Sequence, residues 1–406
     1  MEKLNKKNSS KGMLMLIVLW FAYVAFAINW VTGSTLGGEV VKTFFNGPVP
    51  PVILQVINYT ITAARVFANF IAALILMKTG PKRAIRIALG LLMLSVVAVW
   101  MPNYWAYTVA RMIMALGGSM IVVYMNPVVA NYVSPEKKMI ANALNTVSYN
   151  FGAFLTAILF LSMNKVMRAD WRVTMTAVSI ITVVLFIIWI AGSEDFDTKT
   201  NVTGNSIVEY TYLDGLKDSF VWKYSLGFAG FVFLYILSIT SFPAAFPQYA
   251  PKINGSMINL LVTGFAILGT VLGTKLGLTD ISRKKTMFIS GIIMIVSFAI
   301  VLYFSNISAS IAYVFAAISG FFMFIQYPIY MNLAHEMKDM SPQKLTIIFG
   351  LLWAIAYSFY TVLTVIWSLI LGKYGWNAAS VFYIVSSCLY LVMVLTLPET
   401  SKKYNK

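Results

Sequence analysis

SEDFDTKTNVTGNSIVEYTYLDGLKDSF, residues 193–220, is the longest polar stretch in a chain that is otherwise strongly apolar. Charge, Thr and Asn crowd into it, and it reads as a linker over 193–222. Working outward, six apolar stretches precede it and six follow. About 20 mostly apolar residues suffice to cross a bilayer as a helix. The stretches run 13–33, 51–76, 84–101, 106–133, 139–163, 173–192, 223–247, 257–278, 287–304, 309–334, 346–371 and 377–397. The expected fold is therefore an all-α integral membrane protein. Its twelve transmembrane helices form two six-helix bundles in parallel pseudo-repeat, residues 1–192 and 223–406.

Composition agrees. A soluble domain carries about 25% charged residues, whereas this chain of 406 residues carries 11%, with 59% hydrophobic residues and a mean hydropathy of +0.79. That excludes a soluble domain and a disordered chain alike. One cysteine, Cys388, excludes an intrachain disulfide framework. One histidine, His335, leaves no His-rich metal site and no His-based triad. No metal and no cofactor are expected. The first stretch follows Lys3, Lys6, Lys7 and Lys11, as a signal peptide would, but it is too long for one and reads as a retained helix.

The formal net charge of +16 would fit a nucleic-acid binder if it formed a patch. It does not. With the N-terminus placed inside, twenty-one of the thirty Lys and Arg residues fall on the cytoplasmic side and six outside; Arg65, Arg111 and Lys275 lie within spans. The positive-inside rule then puts both termini in the cytoplasm. The charge is a topology signal for a bilayer partner, with no nucleic acid implied.

The halves resemble each other. Ser134-Pro135 pairs with Ser341-Pro342, Trp171 with Trp376, and Lys82-Arg83 with Lys284-Lys285, each at an offset of about 205 residues. Parallel six-helix repeats are a transporter plan, with the site between them near the midplane. The layout and the loop residues resemble the major facilitator superfamily over nearly the whole chain. That family's loop between helices two and three reads roughly G-x-L-x-D-R-x-G-x-R. Here Lys78, Gly80, Lys82 and Arg83 fit it, while Ala73 and Met77 depart. In the second half Leu278, Asp280, Lys284 and Lys285 fit, with Arg283 at the glycine position. Arg111, Gly117 and Gly118 are similar to an R-x-x-x-G-x-G pattern in helix four, with Ala115 replacing the first glycine. The resemblance implies gating roles for Lys78, Gly80, Lys82, Arg83, Arg111, Asp280 and Lys284. Span five has Gly152 but no Gly-Pro pair, so the drug:proton antiporter motif is absent. The short loops and Pro-flanked second helix look like the nitrate and cyanate permease branches.

Arg65 is the residue that points to chemistry. It lies 14 residues after Pro51 and 12 before Met77, near mid-depth at 1.5 Å per residue. An Arg there costs about 3 kcal/mol on insertion scales and cannot shed its proton. None of the fourteen Asp and Glu residues falls in the middle of a span. Gln55, Asn58, Thr62, Arg65 and Asn69 are spaced 3, 4, 3, 4 and so share one helix face. Such a stripe lines either a wet pathway or a polar seam between helices. Asn142, Asn145, Tyr149, Gly152 and Thr156 repeat the spacing in span five, and Asn29 and Asn126 add amides. The second half is aromatic: Trp353, Tyr357 and Tyr360 share a face of span eleven, and span ten adds Gln326, Tyr327 and Tyr330. Rings with polar tips suit a partly apolar ligand, and they also pack well in any bundle.

The reading is a monomeric secondary transporter of the plasma (inner) membrane, by antiport or symport, for a small organic anion such as a carboxylate. Arg65 would hold the anion as a fork. Asn29, Asn58, Thr62, Asn69, Asn145 and Tyr149 would complete the polar contacts. Trp353, Tyr357, Tyr360, Tyr327 and Tyr330 would pack on the body. The alternative is multidrug efflux or neutral solute (sugar) transport with Arg65 structural. An enzyme has almost nothing to build on, and no nucleotide-binding loop is present.

Overall fold

The computed structural model describes residues 10–196, 210–338, 340, 342–401 and 403. The middle of the predicted linker (197–209) and the basic residues Lys3, Lys6 and Lys7 lie outside the described residues. In chain order the helices are α1 Ser10–Thr35, α2 Gly37–Phe45, α3 Pro51–Leu54, α4 Val56–Thr79, α5 Pro81–Ala98, α6 Tyr104–Tyr132, α7 Pro135–Ser162, α8 Asn164–Ala169 and α9 Trp171–Gly192. After the linker come α10 Tyr212–Lys217, α11 Ser219–Thr240, α12 Phe242–Tyr249, α13 Gly255–Gly277, α14 Arg283–Phe304, α15 Ala309–Glu336, α16 Pro342–Ser387 and α17 Leu389–Thr396.

All twelve expected spans have a helix, although only nine helices among the described residues are long, apolar and charge-poor enough to be taken as spans on those grounds alone. Physical reasons account for the rest. Spans eleven and twelve run together in α16, broken only at Gly375, whose φ of 80° turns the chain between them. Span two is bent between Ala68 and Phe70. Span three, α5, starts with Lys82, Arg83 and Arg86. It follows α4 after the single residue Gly80 at φ 75°, a left-handed conformation that glycine adopts without strain.

Helix starts follow from local chemistry. Pro51, Pro81 and Pro135 stand at first-turn positions, where no N–H is missed. Side-chain oxygens of Asn103, Asp170, Asp218, Asn254 and Ser282 accept first-turn N–H groups of α6, α9, α11, α13 and α14. The short α2, α8 and α10 had no apolar signal of their own in the sequence.

The fold is the twelve-helix, two-bundle arrangement. In the first bundle α1 packs on α6, α7 and α9; in the second α11 packs on α16 and α17, and α15 on α13 and α14. The bundles meet along α7 with α13 and along α4 with α16. α1 and α11 take the central positions: Ala22–Thr35 and Gly227–Thr240 are buried throughout. The repeat appears in side-chain detail as well. Trp171 sits among Phe44 and Tyr107, and Trp376 among Phe242, Phe246 and Tyr249, both within aromatic clusters. Pro127 in α6 and Pro328 in α15 occupy related places within helices four and ten.

Candidate functional site

The polar stripe of α4 divides into two parts with different roles. Toward the end read from the charge pattern as outside, it is a seam. Trp30 Nε1 and Ser34 Oγ donate to Asn58 Oδ1 at 3.0 and 2.6 Å. Asn58 Nδ2 donates to Gln55 Oε1 at 2.8 Å and reaches Ser241 Oγ of the other bundle at 3.4 Å; Ser241 Oγ donates to Gln55 Oε1 at 2.8 Å. The Tyr59 and Ser368 hydroxyls are bonded, and Thr361 Oγ1 donates to Thr62 Oγ1 at 2.7 Å. These links tie α4 to α16 and to the α11–α12 junction, so the bundles are joined on this side. Asn58 and Thr62, expected on the cargo, are here spent on the seam. The side chain of Asn69 lies outside the described residues.

One turn further in, Arg65 is 5% exposed. Its Nη2 donates to the Tyr23 hydroxyl at 3.1 Å. Its Cζ lies 4.6 Å from the centre of the Tyr357 ring and 5.5 Å from those of Phe26 and Trp30. A ring face attracts a cation by up to about 2 kcal/mol when desolvated, so the cage offsets part of the burial cost. It does not satisfy the edges. Nε and Nη1 are buried without a hydrogen-bond partner, which is costly for a charged donor. The ion pairs among the described residues, Arg168–Glu39 and Arg283–Glu336, are elsewhere.

Both bundles close around this guanidinium. The Tyr149 ring lies 6.0 Å from Tyr23, 5.8 Å from Trp30 and 6.4 Å from Tyr235, and its buried hydroxyl has no partner. Tyr235 of α11 gives its hydroxyl to Asn150 of α7. Trp353 stacks on Tyr357 at 5.8 Å and meets Phe228 edge-on at 4.9 Å. Tyr360 meets Tyr357 at 6.2 Å, and Tyr327 lies 5.6 Å from Phe231. Asn145 Nδ2, a turn from Tyr149, is buried and unpartnered. Arg65, Tyr149, Tyr327, Trp353, Tyr357 and Tyr360 thus lie in one connected aromatic cluster, with Asn145 one turn of α7 from Tyr149.

Two expected contacts are corrected. Asn29 turns away behind α1, where Ser179 Oγ donates to its Oδ1 at 2.6 Å and its Nδ2 reaches the Ala25 carbonyl. Tyr330 is locked inside the second bundle, its hydroxyl donating to the Tyr224 carbonyl and its ring stacked on Tyr224 at 4.9 Å. Tyr23, Phe26 and Trp30 were missed, although their spacing of 3 and 4 in span one is the same signal that exposed the α4 stripe. Asn150 and Tyr235 were missed because pairing across bundles leaves no trace in local spacing.

The expected gate residues also divide. Lys78 and Arg83 are exposed, and Lys82 offers its carbonyl to Trp189 Nε1 at 3.3 Å. Arg111 is not at a gate: it is buried in the first bundle, where Nη2 donates to the Asn29 carbonyl at 3.2 Å. Asp280 is exposed, and Lys284 supplies its backbone N–H to Glu399. The residue at the glycine position, Arg283, carries the connection instead. Its Nε and Nη2 hold the Glu336 carboxylate at 2.9–3.1 Å, and its Nη1 donates to the Thr279 carbonyl. Glu399 caps α14, accepting from Ser282 Oγ and the backbone N–H groups of Arg283 and Lys284.

Partial burial opposes ionisation of Glu399, but these hydrogen bonds outweigh it and hold the carboxyl below its ordinary range. A lowered folded-state pKa gives stability that is present above the unfolded value, about 4.3, and is lost as pH falls through the folded one. Glu399→Gln should therefore lower the melting temperature by a few degrees at pH 7. The gap to the unmodified protein should close as the pH drops below about 4. A gap that widens on acidification would contradict the capping role.

Comparison with known proteins places this geometry. A family described as Mycoplasma MFS transporter matches residues 107–372. The chain is 24% identical over 409 aligned residues to the uncharacterized protein mhp246 of Mesomycoplasma hyopneumoniae, covering 91% of this chain and 84% of that protein. The fold matches a D-xylose-proton symporter with a TM-score of 0.75 at 14% identity, covering 97% and 99% of the two chains. It matches the human organic anion transporter MFSD10 with a TM-score of 0.69 at 11% identity, covering 96% and 100%. At such identities the two structures speak to the fold alone.

Proposed function

We propose, starting from a chain that belongs to the Mycoplasma MFS transporter family of the major facilitator superfamily, that it carries a small organic anion, such as a carboxylate, by alternating access. Family membership makes it a multi-pass membrane transporter rather than an enzyme. The anion reading rests on one observation: Arg65 is buried between the bundles with Nε and Nη1 unpartnered and, among the described residues, no acid paired with it. An arriving carboxylate would accept from the guanidinium edge, with Tyr149 Oη and Asn145 Nδ2 as further unspent partners.

The moving bodies would be residues 1–192 and 223–406, joined by 193–222, acting as a monomer in the plasma membrane with both termini cytoplasmic. Binding neutralises the one cation of the site. The seam of Asn58, Gln55, Ser241, Thr62 and Thr361 would then part while the opposite ends of the two bundles close, or the reverse. With no acid in the middle of a span, exchange, or symport with the proton on the substrate, fits better than a protein-borne proton. A neutral sugar or drug is the second reading. It is favoured by the aromatic rings already covering the guanidinium, which would make Arg65 structural.

A thermal-shift panel of organic anions on the purified protein, repeated on Arg65→Met, separates the two. Shifts lost in the variant support the anion reading; shifts kept would end it. Alternating access has its own test. In a Cys388→Ser background, Thr62→Cys with Thr361→Cys should crosslink on oxidation and stop transport by more than tenfold, with recovery on reduction. Unimpaired transport by the crosslinked protein would rule out opening of this seam.

A further inference from the structure

We infer that the cargo is a monovalent anion with a flat, ring-bearing body. This deepens the anion reading and rests on it, adding a charge number and a shape.

The charge number follows from what surrounds Arg65. Among the described residues it is the one charged side chain in the cluster. The other buried span cation, Arg111, packs against α1 at Asn29 and Gly33. There it bonds the Asn29 carbonyl and lies over Tyr107, and its guanidinium fills the space beside Gly33, where an added Cβ would meet it at 2.5 Å. It cannot serve as a second anchor without unpacking α1. A monoanion leaves the midplane neutral. A dianion would replace one uncompensated charge with another at the same depth, so the gain from binding would be spent on burying the excess.

The shape follows from the lining. Rings stand over the guanidinium faces, leaving its edge as the approach. The rings that pack around this cage are Tyr149 and Tyr23 from the first bundle and Tyr235, Tyr327 and Trp353 from the second. The hydroxyl of Tyr235 is already committed to Asn150. Buried polar atoms left without a partner here include the Tyr149 and Tyr360 hydroxyls and Asn145 Nδ2. A polyhydroxylated anion would set many of its donors and acceptors against ring faces, and each one left unpaired is penalised. A planar ring with one carboxylate stacks on the same walls at no such cost.

The test uses the purified full-length protein and four probes: benzoate (one charge, ring), phthalate (two charges, ring), gluconate (one charge, polyol) and acetate (one charge, no ring). Apparent affinities come from concentration-dependent thermal shifts. Benzoate should bind at least tenfold tighter than each of the other three. Tyr357→Leu should weaken benzoate binding more than acetate binding and so shrink their ratio, since the fork remains while the stacking ring is lost. Phthalate or gluconate equal to benzoate would overturn the inference and leave the anion reading standing. Failure of all four anions to shift the protein would overturn both. A Tyr357→Leu protein that does not fold leaves the probe ranking on the unmodified protein as the deciding measurement.

Discussion

Arg65→Met should abolish anion binding and raise the melting temperature of the detergent-solubilised protein by about 2–4 °C. The two effects come from the same physics. A cation at mid-depth costs about 3 kcal/mol. Its ring contacts return up to about 2 kcal/mol and its bond to Tyr23 about 1.5 kcal/mol, while the buried, unpartnered Nε and Nη1 cost about 1 kcal/mol or more each. Methionine keeps the volume and drops the charge, so a gain of about 1 kcal/mol remains, and in domains of 150–250 residues each kcal/mol moves the midpoint by about 2–4 °C. Binding should suffer far more. Hydrogen bonds to a charged group are worth about 1.5–3 kcal/mol each, so losing a two-bond fork weakens affinity by at least about a hundredfold, at 1.4 kcal/mol per decade. Arg65→Lys keeps the charge without the fork and should fall between, near a tenfold loss. Calorimetry and thermal shift on the three proteins decide it. A Met variant that melts markedly lower while still binding anions would mean that the guanidinium is a structural tie.

Gly273→Leu is expected to prevent assembly of the second bundle. An added Cβ at Gly273 would lie 2.1 Å from the Ile325 carbonyl oxygen, and one at Gly269 would lie 2.2 Å from that of Phe321. From the opposite side, a Cβ at Gly320 would lie 2.2 Å from the Val262 oxygen. These glycines let α13 and α15 approach backbone to backbone, the association that small residues permit where no water drives helices together. Overpacking a core costs about 1–3 kcal/mol when side chains can yield. Here the obstacle is main chain, so the cost should lie above that range. The expected result is protein that inserts but elutes aggregated from size-exclusion chromatography. Gly38→Ala, at a position with nothing within 4 Å of the added atom, should behave as the unmodified protein. A monodisperse Gly273→Leu protein with an unchanged midpoint would refute the close approach.

The sequence located the Arg65 face but not the division of labour along it. Gln55, Asn58 and Thr62 carry the same periodic signal as Arg65, yet three residues of the second bundle, Ser241, Thr361 and Ser368, take up this end of α4. Nothing in the spacing of span two records which partner arrives. The loop between spans eight and nine shows the same limit. The family's loop pattern drew attention to Asp280 and Lys284, whereas the ion pair formed at Arg283, the position that breaks the pattern, with Glu336 from a different helix. Tyr23, Phe26 and Trp30 could have been read, since their spacing repeats that of the α4 stripe.

The number of spans, the twofold repeat and a mid-depth cation without an acid were all decided by the chain alone. Hydrocarbon thickness and charge are tests applied residue by residue along it, and no folding is needed to fail or pass them. Which polar groups are spent and which remain free was decided only when the helices came together. That outcome depends on the rotation and approach of segments hundreds of residues apart. Asn29 turned to Ser179 and Asn58 to the seam, while Arg65 Nε and Nη1 and the Tyr149 hydroxyl were left without a hydrogen-bond partner among the described residues.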